Sequence, residues 1–225
     1  MVKTKYGYLF RTKLSHHIEV AKRLDGHLCE GIRLLRLADP GKPLQAQLMW
    51  MADLLIETNR VVVLCFKHGY YASALQNVRV ALEIAHKMFT LNRRPELVKR
   101  KWVPQKEVTK TLKELGLPDW GEVYGRLSEA AHHSRRFLLD IYPGMHRDNE
   151  PDQLSEIRLE FYFVWLNHLR MKALGVLYDQ LKPHIGKEYE TLIRRYNELE
   201  MIVGDDLDTS SAKLEGIDHT MEHRE

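Results

Sequence analysis

Arg79, Glu83 and His86 are spaced i, i+4 and i+7 within YASALQNVRVALEIAHKMFTL, residues 71–91. On a helix this spacing lines the three side chains along one edge, close enough for one to bond the next. A second set, Arg126 with His132 and His133, lies in WGEVYGRLSEAAHHSRRFLLD, residues 120–140. Arginine holds a phosphate through a planar, bidentate fork, and histidine moves protons near neutral pH. Transfer at a phosphodiester needs a base, an acid and a cation for the charge that develops on phosphorus. Arg126 would take the phosphate and His133 or His132 the protons, with Arg79 and Glu83 orienting that histidine or holding two helices together. The same groups also read as a satisfied structural ion pair, since charge networks perturb their surroundings without any catalytic role.

These residues must be positioned by helices. Leu75, Val78, Leu82, Ala85 and Phe89 share the apolar face of 71–91, with Arg79, Glu83 and His86 expected along its margin. For the second helix, with Leu127 as origin, Val123, Ala130, Ala131, Ser134, Leu138 and Ile141 fall within roughly 60° and define a core face. Arg126 and His133 lie about 100–120° to one side, on the margin of that face. His132 lies nearly opposite the core, at about 140°. Geometry therefore favours His133 as the partner of Arg126.

The remaining chain is also helical in pattern. Ile18, Ala21, Leu24, Leu28, Ile32 and Leu35 recur at helical spacing until Asp39-Pro40-Gly41. A second helix starts near Pro43, carries Trp50, Leu54, Val61 and Phe66, and stops at Gly69. Within it VVVLCF is expected as buried helix, because no other strand candidate exists to pair with it. Two short helical pieces flank Pro104. Asp119 and Glu122 have capping-box spacing for the helix that carries Arg126. Residues 143–152 read as a polar loop, 154–181 as a long helix stopped by Pro183, and 186–203 as the last helix. After Gly204 large apolar residues thin out, which predicts a mobile tail over 205–225 beside a single domain at 1–204. The expected fold is all-α, an up-and-down bundle of about six principal helices with short connecting ones.

Composition limits the function classes. The 225 residues are 44% hydrophobic, enough for a full core, and the net charge is only +3. That balance excludes a globally basic nucleic-acid binder, so any RNA contact must be local. Cys29 and Cys65 form no CxxC or spaced framework, and neither a signal peptide nor a membrane span is evident. A cytoplasmic, non-membrane protein without cofactor or bound metal is expected.

A helix reading Gly69, Ala74, Arg79, Glu83, followed by one reading Tyr124, Leu127, Ser128, His132, resembles HEPN-type helical domains. The likeness is closest to their abortive-infection-like and uncharacterised branches and covers roughly residues 45–180. Members that cleave RNA do so without metal, through an Arg-x4–6-His motif that commonly works across a dimer interface. The motif maps onto Arg126 with His132 or His133, and Leu127 stands where active members usually carry a polar residue. The resemblance implies a metal-independent endoribonuclease or RNA-binding protein of a defence or toxin type, acting as a homodimer. Where geometry favours His133, the family pattern favours His132.

Spacing alone is weak support, because Arg11 with His16 and Arg79 with His86 satisfy the same motif. Two other readings compete. Glu83-x-x-His86 and Glu129-x-x-His132 repeat the Glu-x-x-His pairs of a carboxylate-bridged di-iron bundle, with Glu57 and Glu160 as further ligands; the outward direction of Glu129 and His132 counts against it. A non-catalytic helical module that binds a regulatory partner fits the mild charge and Leu127. Among lesser candidates, Arg93, Arg94, Lys99, Arg100 and Lys101 beside Trp102 suit a solvated connector better than a base-stacking patch. His16-His17 have no carboxylate or thiol at ligand spacing beside them with which to bind a metal. Arg135-Arg136 would add positive potential to a groove, and Trp50, Trp120 and Trp165 are expected in the core.

Overall fold

The computed structural model describes residues 12–38, 41–68, 70–100, 104–114, 121, 123–125, 127 and 153–222. Among these, six α-helices and one 3-10 helix make up an all-α bundle. They are α1 (Ser15–Ala38), α2 (Pro43–Lys67), α3 (Tyr71–Arg93), the 3-10 helix Pro95–Lys99, α4 (Gln105–Glu114), α5 (Gln153–Leu181) and α6 (Gly186–Glu222). Residues 121, 123–125 and 127 are helical as well. No helix among the described residues is long and apolar enough to cross a membrane.

α5 is the centre of the bundle and packs on α1, α2, α3 and α6. Its sequence explains the position: from Phe161 to Asn167 every residue is buried, and a helix apolar around its whole circumference has to be enclosed. Two buried polar residues, Asn167 at the end of this run and Arg170 one turn on, are satisfied by their neighbours. Asn167 donates from Nδ2 to the carbonyl of His17 at 2.9 Å. Arg170, 1% exposed, donates from Nε to Asp25 Oδ1 and from Nη1 to Asn167 Oδ1, each at 2.9 Å. A cation that deep persists only with such partners, and here they fix the rotation of α5 against α1.

α2 and α3 lie side by side, joined by a break in which the Tyr70 amide donates to the Cys65 carbonyl at 2.9 Å. Pro43 opens α2 at its first helical position, where the missing amide is not needed. The VVVLCF stretch is helical as expected, but only Val62 and Phe66 are fully buried; Val61 and Leu64 are exposed. Trp50 likewise is 63% exposed rather than in the core, because it falls on the same turn-face as Val61 and Leu64, opposite Leu48, Leu55 and Val62. Trp165 is buried on α5 as expected, and Trp120 lies outside the described residues.

The expected helix end at Gly204 does not occur. α6 runs on to Glu222, and Val203, Ser210 and Leu214 are buried, with Leu207 packed against the core beside them. The spacing of these four residues continues one helical face, so residues 205–222 are helix where a mobile tail was expected. A single glycine does not break a helix whose next turns still have a face to bury; it costs only about 1 kcal/mol.

Candidate functional site

The polar edge of α3 is a closed cluster. Arg79 donates from Nε to Glu83 Oε1 at 3.2 Å and from Nη2 to the Tyr124 hydroxyl at 3.0 Å. That hydroxyl donates in turn to Glu83 Oε1 at 3.2 Å. The Arg79 guanidinium carbon also lies 5.1 Å from the centre of the Tyr124 ring, within range of a cation–π contact. Partial burial disfavours the charge of Arg79, but Tyr124 and Glu83 outweigh it and raise its pKa.

Tyr124 connects this edge to the second motif. It belongs to the helical residues 121, 123–125 and 127, of which Val123 and Leu127 are buried in the core as the wheel predicts. Arg79 and Glu83 are therefore brought together with the segment that carries Arg126. Arg126, His132 and His133 themselves lie outside the described residues.

His86 is not on the edge with Arg79 and Glu83. It is 4% exposed, and burial pushes its pKa down to about 4, so it is a neutral core imidazole at pH 7. At 100° per residue His86 falls about 20° beyond Leu75 and about 20° short of Arg79, so the wheel alone leaves it at the margin, and the elements packed over α3 bury it.

The di-iron set is not assembled among the described residues. Glu83 belongs to Arg79 and Tyr124, Glu57 is exposed, and Glu160 faces His17 and Lys213. Of the basic connector, Arg94 is drawn inward to an ion pair with Glu107 and a 2.9 Å bond to Glu114, which ties α4 to the end of α3.

Two features escaped sequence reasoning. One is a carboxylate set around His16 and His17: Asp206 Oδ2 lies 3.2 Å from His16 Nε2 and 3.2 Å from His17 Nδ1. Glu160 Oε1 lies 3.6 Å from His17 Nε2. Burial works to lower the His17 pKa, but the Glu160 and Asp206 carboxylates outweigh it and raise it. The Glu160 carboxyl is held at about 2, chiefly by His17, against burial and with help from Lys213. Asp206 is distant in sequence, and the signal for it was the face continued by Val203, Leu207, Ser210 and Leu214. The other feature is a groove of about 620 Å³ between α1, α2 and α5, with Ile18, Val63 and Phe163 among its apolar walls and Lys22, Arg60 and the Asp25–Arg170 pair among its charged groups.

No protein-family model, no curated protein and no solved structure matches this chain.

Proposed function

We propose that this chain is a HEPN-like helical protein that binds RNA and cleaves it without metal, as a homodimer of the defence or toxin type. The observation that supports this reading is the Arg79–Glu83–Tyr124 cluster, which ties the edge of α3 to the segment leading into Arg126. In that role Arg79 and Glu83 are positioning residues, since their polar groups are engaged with each other and with Tyr124. Arg126 would hold the scissile phosphate. His133 or His132 would take the proton from the ribose 2′-hydroxyl, whose oxygen then attacks phosphorus; the 5′-oxygen leaves and receives a proton. Arginine would stabilise the pentacoordinate phosphorane between these steps.

The test is cleavage of a labelled, structured RNA in EDTA by wild type, Arg126→Ala, His132→Ala and His133→Ala, with dimerisation followed by light scattering. Cleavage by wild type that is lost in Arg126→Ala and in one histidine variant supports the reading and selects the histidine. Cleavage that survives all three substitutions removes the assignment. A second reading, a non-catalytic module that binds a regulatory protein, is supported by the exposed apolar stripe of Trp50, Val61 and Leu64 on α2. RNA left intact by a folded wild type would favour it.

A further inference from the structure

His16, His17 and Asp206 come from opposite ends of the chain and meet where the first turn of α1 touches the second half of α6. A structural His–Asp contact needs one ring nitrogen and one carboxylate oxygen. Here two neighbouring imidazoles, rings 5.3 Å apart and at 68° to one another, aim different nitrogens at the same oxygen. All three donor atoms lie within 4.8 Å of one another. Bond lengths of about 2.0–2.2 Å from zinc to nitrogen and oxygen place ligand atoms roughly 3.3 Å apart around a tetrahedral ion. The observed nitrogen–oxygen separations of 3.2 Å are close to that spacing.

The surroundings match what a metal-binding histidine needs. A ligating imidazole turns its other nitrogen to a carboxylate, which fixes the ring and its tautomer. His17 does this: Nδ1 faces Asp206 while Nε2 faces Glu160 Oε1 at 3.6 Å. Glu160 is steadied by Lys213 Nζ at 2.7 Å, and the His17 backbone is anchored by Asn167. The His17 side chain is 8% exposed and that of His16 59%, so the site has a closed floor and an open mouth through which water can fill the remaining position.

We propose that His16 Nε2, His17 Nδ1 and Asp206 Oδ2 form a binding site for one Zn²⁺, with Glu160 as the carboxylate behind His17. Two imidazoles and one carboxylate are a borderline donor set, suited to zinc and its first-row neighbours rather than to Mg²⁺ or Ca²⁺. The ion would pin the second half of α6 to α1, two elements that otherwise touch little. This site is independent of the RNA reading, whose assay runs in EDTA, so either can fail without the other.

The experiment uses the full chain, stripped with EDTA, dialysed and titrated with Zn²⁺ against a chromophoric chelator at about pH 8, where imidazole is neutral. The expected result is one tightly bound Zn²⁺ per chain and a melting temperature that rises with free Zn²⁺. His16→Ala is the cleanest variant because its side chain is exposed: the apo melting temperature holds while Zn²⁺ affinity falls roughly tenfold or more. Asp206→Asn should lose the stoichiometric site, and Glu160→Gln should weaken it by about tenfold to a hundredfold. Absence of a stoichiometric ion in wild type overturns the proposal. So does an affinity unchanged in His16→Ala, which would mark the binding as adventitious capture by other histidines.

Discussion

The cluster on α3 makes a quantitative prediction about what holds the two motif segments together. Tyr124→Phe keeps the ring over Arg79 but removes the hydroxyl that accepts from Arg79 Nη2 at 3.0 Å and donates to Glu83 at 3.2 Å. A buried hydrogen bond to a charged group contributes about 1.5–3 kcal/mol. The Arg79 and Glu83 side chains are 23% and 37% exposed, so water weakens it here, and about 1 kcal/mol is the expected share of the Arg79–Tyr124 bond. The Arg79–Glu83 pair itself, at i, i+4 on a partly wet surface, adds only about 0.3–0.5 kcal/mol. The assay is a double-mutant cycle of Arg79→Met and Tyr124→Phe by urea denaturation. A coupling energy near 1 kcal/mol is expected between the two sites. Independent sites add to within about 0.3–0.5 kcal/mol, so a coupling no larger than that refutes the closed cluster and removes the support for Arg79 and Glu83 as positioning residues. If the cluster positions the RNA-cleaving residues, the same variants lower kcat while KM holds.

Three further outcomes follow from the packing. Asp25→Ala leaves Arg170 buried without its carboxylate and should cost about 3 kcal/mol in chemical denaturation, with the double variant Asp25→Ala, Arg170→Met recovering part of that loss. His86 is held near a pKa of about 4 by burial, against 6.5 when unfolded, so the unfolded chain gains a proton first as pH falls. Its share of stability is then full above pH 6.5 and declines toward pH 4 by about 3 kcal/mol; urea midpoints measured across this window should fall less steeply in His86→Gln, with His168, which burial also holds at about 4, carrying the remaining slope. Gly186 starts α6 with φ at +44°, so Gly186→Ala should destabilise by about 1–2 kcal/mol, whereas Gly26→Ala inside α1, where an added Cβ meets nothing within 4 Å, should stabilise by about 0.5–1 kcal/mol in the same assay.

The helices were readable in the sequence because each buries one apolar face against the same core, and burial imposes a period of 3.6 on side-chain type. Leu75, Val78, Leu82 and Ala85 are buried on α3 as that period requires. Periodicity failed where one residue could serve either side of a boundary. Trp50 is expected in the core with Leu54, Val61 and Phe66, yet hydrophobic residues also occupy surfaces, and its angular position puts it outside. His86 differs: its angle, between Leu75 and Arg79, leaves it at the margin, yet the elements packed on α3 cover it and the bundle holds it as a neutral ring. Angle decides the case of Trp50, and packing by neighbouring elements decides that of His86.

Long-range meetings are less accessible to such reasoning, and the two clusters differ for a physical reason. Arg79 and Glu83 are one helical turn apart, so their contact is set by local geometry, and only Tyr124 had to be supplied by folding. His16 and His17 gain Asp206 and Glu160 only because α5 and α6 cross the start of α1, with 189 residues separating His17 from Asp206. The apparent poverty of residues 205–222 in large apolar groups hid that crossing. Yet the residues that do face inward there, Ser210 and Leu214, are buried beside Lys213 and Asp206, which meet Glu160 and the two histidines. An extension held mainly by a few small contacts and a ring of carboxylates and imidazoles is the part of this bundle that a single bound cation would stabilise most.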